Sequence, residues 1–164
     1  MARILILGGG CRGRQLAAGL VKNGHAVRIT TRAEAGRAAI EATGAECWLG
    51  TPDRLATLRG ALDSVTIACW MLATATGSPE ALAELYRTRL EFFLTQAIDT
   101  TVRGILFEAL SAEHPAGVRS ASEQLARRMA ELNQIPLHCL QQDPSDTAAW
   151  VAEARGAIDR LLGL

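Results

Sequence analysis

The sequence predicts a doubly wound α/β fold: a parallel six-stranded sheet of order 3-2-1-4-5-6 with helices on both faces. Short apolar runs alternate with longer helical stripes along the whole chain, and a glycine-rich turn, GGGCRG, stands at the first strand-to-helix junction. Size agrees, since 164 residues that are 49% hydrophobic suffice for one core without metal or disulfide staples. No repeat, low-complexity tract or linker interrupts the alternation, so a single domain over 1–164 is expected, with almost nothing left over for a substrate domain.

The first strand is RILIL, about 3 to 7, and the first helix closes at Asn23-Gly24. AVRIT, about 26 to 30, is the second strand, followed by Thr31 and Glu34 at capping-box spacing. ECWL, 46 to 49, is the third, and Thr51-Pro52 places a cap before a proline at a helix start. VTIACW, about 65 to 70, is the fourth. Ser78-Pro79 then opens a helix over about 79 to 98 with Leu82, Tyr86, Leu90, Phe93, Leu94 and Ala97 on one face. GILFE, 104 to 108, is the fifth strand, with Ser120 and Glu123 at capping-box spacing after it. PLHCL, 136 to 140, is the sixth. The last helix, about 146 to 162, carries Trp150, Val151, Ala154, Ile158, Leu161 and Leu162. Several strands are continuous apolar runs, as strands covered on both faces require.

Charge and cysteine usage narrow the function classes. The 17 basic side chains balance 17 acidic ones, Lys22 is the single lysine, and the arginines are scattered, so no nucleic-acid footprint is expected. No segment approaches ~20 uninterrupted apolar residues and none resembles a signal sequence, so a chain without membrane contact, in the cytoplasm, is expected. Cys11, Cys47, Cys69 and Cys139 lie far apart, mostly within apolar runs, which reads as reduced, buried thiols and no metal.

Within the glycine turn, Gly8, Gly10 and Gly13 satisfy G-x-G-x-x-G between a strand and a helix. The first permits the tight turn, the second lets a pyrophosphate approach the backbone, and the third lets the helix lie close to the strand. Free N–H groups at the start of that helix, near Arg12, would hold the phosphates. At the end of the second strand, an NAD site places a carboxylate for the ribose hydroxyls. Here Thr31 and Arg32 stand instead, so a 2′-phosphate is not repelled, and Arg32, joined by Arg12, is able to pair with it. NADP is therefore expected over NAD, with Glu34 the acid that a small shift of the strand end would bring nearer the ribose.

With RILILGGGCRG, GHAVRITTR, GAECWLGTPDRLATLRGALDSVTIACW and VRGILFEA in view, the chain resembles the NAD(P)-binding Rossmann domain of the short-chain dehydrogenase/reductase superfamily, nearest its atypical NmrA-like and sugar-epimerase-like members. The resemblance implies that Gly8, Gly10, Cys11, Arg12 and Gly13 line the pyrophosphate. It implies Thr31 and Arg32 at the adenosine ribose, and Trp70, Met71 and Leu72 on the nicotinamide side. Active members typically use Y-x-x-x-K, with the tyrosine as proton donor. In this chain the only tyrosine, Tyr86, is followed four residues later by Leu90, and the only lysine is Lys22. The third strand is also followed by Gly50-Thr51-Pro52-Asp53 where relatives commonly have Gly-Asp.

Any other chemistry belongs at the carboxyl ends of the strands. Thr74 and Thr76 follow the fourth; Glu108, Ser111, Glu113 and His114 the fifth; Gln141, Gln142 and Asp143 the sixth. His114 with Glu108 is the one acid/base pair in that set. His25 and His138 read as structural, and Cys11 as the small side chain a glycine loop needs. Three functional readings stay open: a small NADPH-dependent reductase, a non-catalytic NADP(H)-sensing or partner-regulating module, and a scaffold whose site has decayed and which would show no nucleotide affinity. A homodimer is expected through Leu85 and Phe92, seven residues apart on the fourth helix.

Overall fold

Six parallel strands form one sheet in the order β3-β2-β1-β4-β5-β6. They are β1 (Arg3–Leu7), β2 (Ala26–Thr31), β3 (Glu46–Leu49), β4 (Ile67–Trp70), β5 (Gly104–Glu108) and β6 (Leu137–Leu140). The computed structural model describes residues 1–8 and 10–164; the middle glycine of the turn, Gly9, lies outside the described residues. β1 pairs on one side with β2, Ile4 opposite Val27, and on the other with β4, Ile4 opposite Ile67. The sheet order therefore reverses at β1 and β4, where a crevice opens beyond the strand ends.

Alternate residues of each strand bury on opposite faces. Ile4, Ile6, Ile29, Ile67 and Cys69 pack with Leu16 and Leu20 of α1 (Cys11–Lys22), Ile40 of α2 (Arg37–Glu41), and Trp150 and Ile158 of α6 (Thr147–Leu162). Leu5, Leu7, Trp70 and Phe107 pack on the other face. Their partners there are Leu58, Leu62, Tyr86, Phe93 of α4 (Leu90–Ile98) and Ala126 of α5 (Ala116–Leu132). Both faces are thus apolar, which is why these strands read as unbroken hydrophobic runs.

The expected helix over 79 to 98 is three pieces: α3 (Pro79–Glu84), a π turn over Leu85–Arg89, and α4. Ser78 caps it, its Oγ accepting from Ala81 N at 3.2 Å, with Pro79 in the first turn. Asp146 caps α6 in the same way. Asn23 ends α1, and Gly24 follows with φ +86°.

Three local expectations are corrected. Thr31 still belongs to β2, its hydroxyl donates to Ala33 O, and Glu34 pairs with Arg37, so no capping box forms there. Ser120 lies inside α5, which starts just after Pro115, and Glu123 pairs with Arg127 at 2.7 Å. After Thr51-Pro52 come only two 3-10 turns, Leu55–Leu58 and Gly60–Leu62. Buried Arg28 donates to the carbonyls of Gly60 and Ala61 at 3.2 and 2.6 Å, and Gly60 O also accepts from Asp63 N in the 3-10 pattern. Among the described residues, no helix is long and apolar enough to cross a membrane. Cys47, Cys69 and Cys139 are buried, whereas Cys11 is exposed, because it opens α1 at the surface of the crevice.

Candidate functional site

The chain leaves β1 through Gly8 at φ +104°, where a Cβ would stand 2.3 Å from the Met71 carbonyl oxygen. Met71 N donates to Leu7 O at 3.1 Å, which holds the segment after β4 against the turn. A Cβ on Gly13 would lie 2.6 Å from Gly8 O, so the first turn of α1 rests directly on the loop. Gly10, the residue before α1, differs: among the described residues nothing beyond its chain neighbours stands within 4 Å of its Cβ position, and no side chain caps the helix. Two glycines thus satisfy packing, and the third leaves open backbone beside uncapped N–H groups. Beside them is a hollow of about 320 Å³, lined by the turn, by Met71, Leu72, Thr74 and Ala75, and by Trp150.

Arg12 reaches inward along this hollow, its side chain only 13% exposed. Its Nη1 lies 3.3 Å from Glu108 Oε1, its Nη2 donates to Thr74 Oγ1 at 3.4 Å, and its guanidinium stacks 4.7 Å over the Trp150 ring. Glu108, 3% exposed at the end of β5, accepts from Trp150 Nε1 at 2.8 Å and from Ala73 N at 3.1 Å. Burial pushes its carboxyl above the usual range, opposed by Arg12 and by those two donors. Tyr86 OH donates to the Glu108 carbonyl at 3.2 Å, and burial holds that phenol well above its ordinary value. Contrary to the expectation from the sequence, Arg12 therefore does not turn toward the end of β2 to join Arg32; the buried acid draws it the other way.

At the end of β2, Arg32 is 63% exposed and its Nη2 lies 3.4 Å from Asp53 Oδ2. Glu34 is held by Arg37 on its own turn. Thr31 sits at the strand end, its carbonyl accepting from Gly50 N at 3.0 Å. This end of the site therefore joins the β2 and β3 loops.

Met71 and Leu72 line the hollow; Trp70 does not. Its ring is fully buried against Tyr86 and Phe93, on the opposite face of the sheet from Cys69. Glu108 and His114 are not joined by a hydrogen bond or ion pair, because the carboxylate is engaged in the buried network. His114 lies with Ser111, Glu113, Thr74, Thr76 and Asp143 around a hollow of about 440 Å³. A larger one of about 800 Å³ opens beside it between the loops after β5 and β6, lined also by Gln141 and Gln142. Leu85 is covered within the chain and does not form an exposed edge with Phe92, which is 54% exposed. Sequence reasoning missed Trp150 and Asp53. Trp150 showed only as part of a packing stripe, and Asp53 only as an interrupted Gly-Asp.

No protein-family model matches the chain, and no curated protein matches it. Solved structures do. A short-chain dehydrogenase/reductase superfamily protein from Agrobacterium tumefaciens, with bound NAD, matches at TM-score 0.69 and 19% identity, over 85% of this chain and 48% of that one. UDP-glucose 4-epimerase from Thermotoga maritima, with UDP-glucose, matches at TM-score 0.72 and 15% identity, over 85% and 54%. An NADPH-dependent quinone oxidoreductase from Escherichia coli matches at TM-score 0.60 and 21% identity, over 85% and 46%. The chain spans about half the length of these structures, and what it shares with them is a Rossmann-like α/β fold.

Proposed function

We propose that the chain binds a nicotinamide dinucleotide along the carboxyl edge of its sheet, NADP(H) in preference to NAD(H). The observation that carries this is the division of labour in the glycine turn: Gly8 and Gly13 have no room for a side chain, while Gly10 faces open space beside the uncapped start of α1. A pyrophosphate fits that combination, with Gly10, Cys11, Arg12 and Gly13 around it and Met71 and Leu72 further along the hollow. The preference for NADP(H) is supported by Thr31 and Arg32 at the end of β2 and by the engagement of Glu34 with Arg37. A bound nicotinamide is a hydride donor, so turnover would ask of the chain only that it orient the cofactor and supply a proton donor.

Between a reductase and a binding module, Tyr86 favours the second. Its hydroxyl is buried on the Glu108 carbonyl, the next turn carries Leu90, and Lys22 lies in the last turn of α1. Binding without turnover, in sensing or in regulating a partner, is the function these residues support best. A second copy of the chain is the proposed partner, meeting it at Phe92; a concentration-independent monomer in sedimentation would remove that element. Titration with NADPH, NADP, NADH and NAD, followed by thermal shift and calorimetry, tests the reading, since a ligand of the native state raises its stability by mass action. Stabilisation by NADP(H) above NAD(H) is expected, and no response to any of the four would overturn it.

A further inference from the structure

Arg12 stands in the wall of the hollow, and its charge is balanced from inside the protein. Its Nη1 is buried and has no aligned hydrogen-bond acceptor among the described residues, although Glu108 Oε1 is 3.3 Å away. A guanidinium has five N–H donors, and the bond to Thr74 is long. Glu108 is better served. Ala73 N holds one carboxylate oxygen and Trp150 Nε1 the other, so Arg12 is able to leave without stripping Glu108 of its hydrogen bonds. The Trp150 ring offers the planar guanidinium a surface to slide on.

We propose that Arg12 is the phosphate-receiving side chain of this hollow and Glu108 its displaceable counter-ion, so that ligand binding exchanges an internal ion pair for one with the pyrophosphate. The proposal rests on the dinucleotide reading above and gives Glu108 a positioning role. Before the ligand arrives, Glu108 keeps the guanidinium neutralised and aimed along the hollow. Afterwards it is a buried carboxylate without its cation, which favours the protonated form, so binding draws a proton from solution. The groups facing the pair are Tyr86 from the π turn, whose phenol sits on the Glu108 carbonyl, and Asp143 from the loop after β6, within the field of Arg12.

The test is calorimetric titration of the full chain with NADPH in two buffers of different ionisation enthalpy, for wild type, Arg12→Gln and Glu108→Gln. Wild type takes up protons on binding near neutral pH. Arg12→Gln binds roughly ten- to a hundredfold more weakly, the range of a charge-assisted hydrogen bond, and loses the uptake. Glu108→Gln binds several-fold more tightly and loses it too. The 2′-phosphate of NADPH ionises near pH ~6 by itself, so the differences between proteins carry the result. Equal affinity in wild type and Arg12→Gln, or undiminished uptake in Glu108→Gln, overturns the proposal while leaving the dinucleotide reading intact. If Arg12→Gln does not fold, Glu108→Gln decides alone, and unchanged or weaker binding there counts against the exchange. No binding of NADPH to wild type overturns both readings.

Discussion

Arg32 and Asp53 meet at 3.4 Å across the β2 and β3 loops, so the cation expected to receive a 2′-phosphate is already paired with an acid. The pair is exposed and contributes little to stability, but it competes for the guanidinium. Arg32→Ala should weaken NADPH much more than NADH, and Asp53→Asn should tighten NADPH by a few-fold with little change for NADH. Side-by-side calorimetry checks both, and equal losses for the two nucleotides in Arg32→Ala would mean that Arg32 does not read the phosphate.

The three glycines of the turn should separate under substitution to alanine. At Gly8, with φ +104° and Met71 O at 2.3 Å from the added carbon, a loss on the order of 2 kcal/mol or more is expected. Gly13→Ala, 2.6 Å from Gly8 O, should also destabilise. Gly10→Ala meets nothing within 4 Å and should unfold like wild type in urea, yet bind nucleotide more weakly. A stable Gly10→Ala protein with undiminished affinity would show that the ligand does not approach that backbone.

Glu108 also makes stability depend on pH in a definite direction. Burial raises its pKa in the folded protein above the ordinary 4.5, so the fold prefers the protonated acid more than the unfolded chain does. That contribution is fully present below about 4.5 and is lost as pH rises through the raised value. Asp143, held below its ordinary value by the Ser145 backbone N–H, works in the opposite direction at lower pH. Relative to Glu108→Gln, wild type should therefore lose stability from pH ~4.5 toward neutrality in denaturant titrations at several pH values. A constant difference between the two proteins over that range would exclude this role.

Trp150→Phe keeps a ring beneath Arg12 and removes the 2.8 Å bond to Glu108. The carboxylate then retains Ala73 N alone among its two N–H donors. A loss of about 1–3 kcal/mol is expected in chemical denaturation. Wild-type stability in that variant would mean that the indole N–H contributes nothing to holding the acid.

Strand positions and sheet order were legible because the inner strands β1, β2, β4 and β5 are buried on both faces along most of their length and carry that demand in their own residues, while β3 and β6 are only partly covered. Ser78-Pro79 was legible for a similar reason, since cap and first turn are adjacent in the chain. Thr31 and Ser120 had the right spacing in the wrong place, one still paired in a strand and the other already inside a helix. The positions of Gly8, Gly10 and Gly13 in the turn could be read from the local sequence. The direction of Arg12 could not, because its partners Glu108 and Trp150 are distant in sequence and meet only in the finished fold. Trp70 needed only the two-residue period of a strand: adjacent to Cys69, it has to face the other way.

The position of β1 between β2 and β4 also has a kinetic consequence. The chain must travel out to β3 before returning to lay β4 beside β1, and no neighbouring pair in the sheet is closed by a hairpin. Such non-local closures fold slowly. The glycine turn acquires its far wall, Met71, only when the β1–β4 seam zips, so the crevice should mature with the slowest refolding phase, after the β1–β2 ladder has formed.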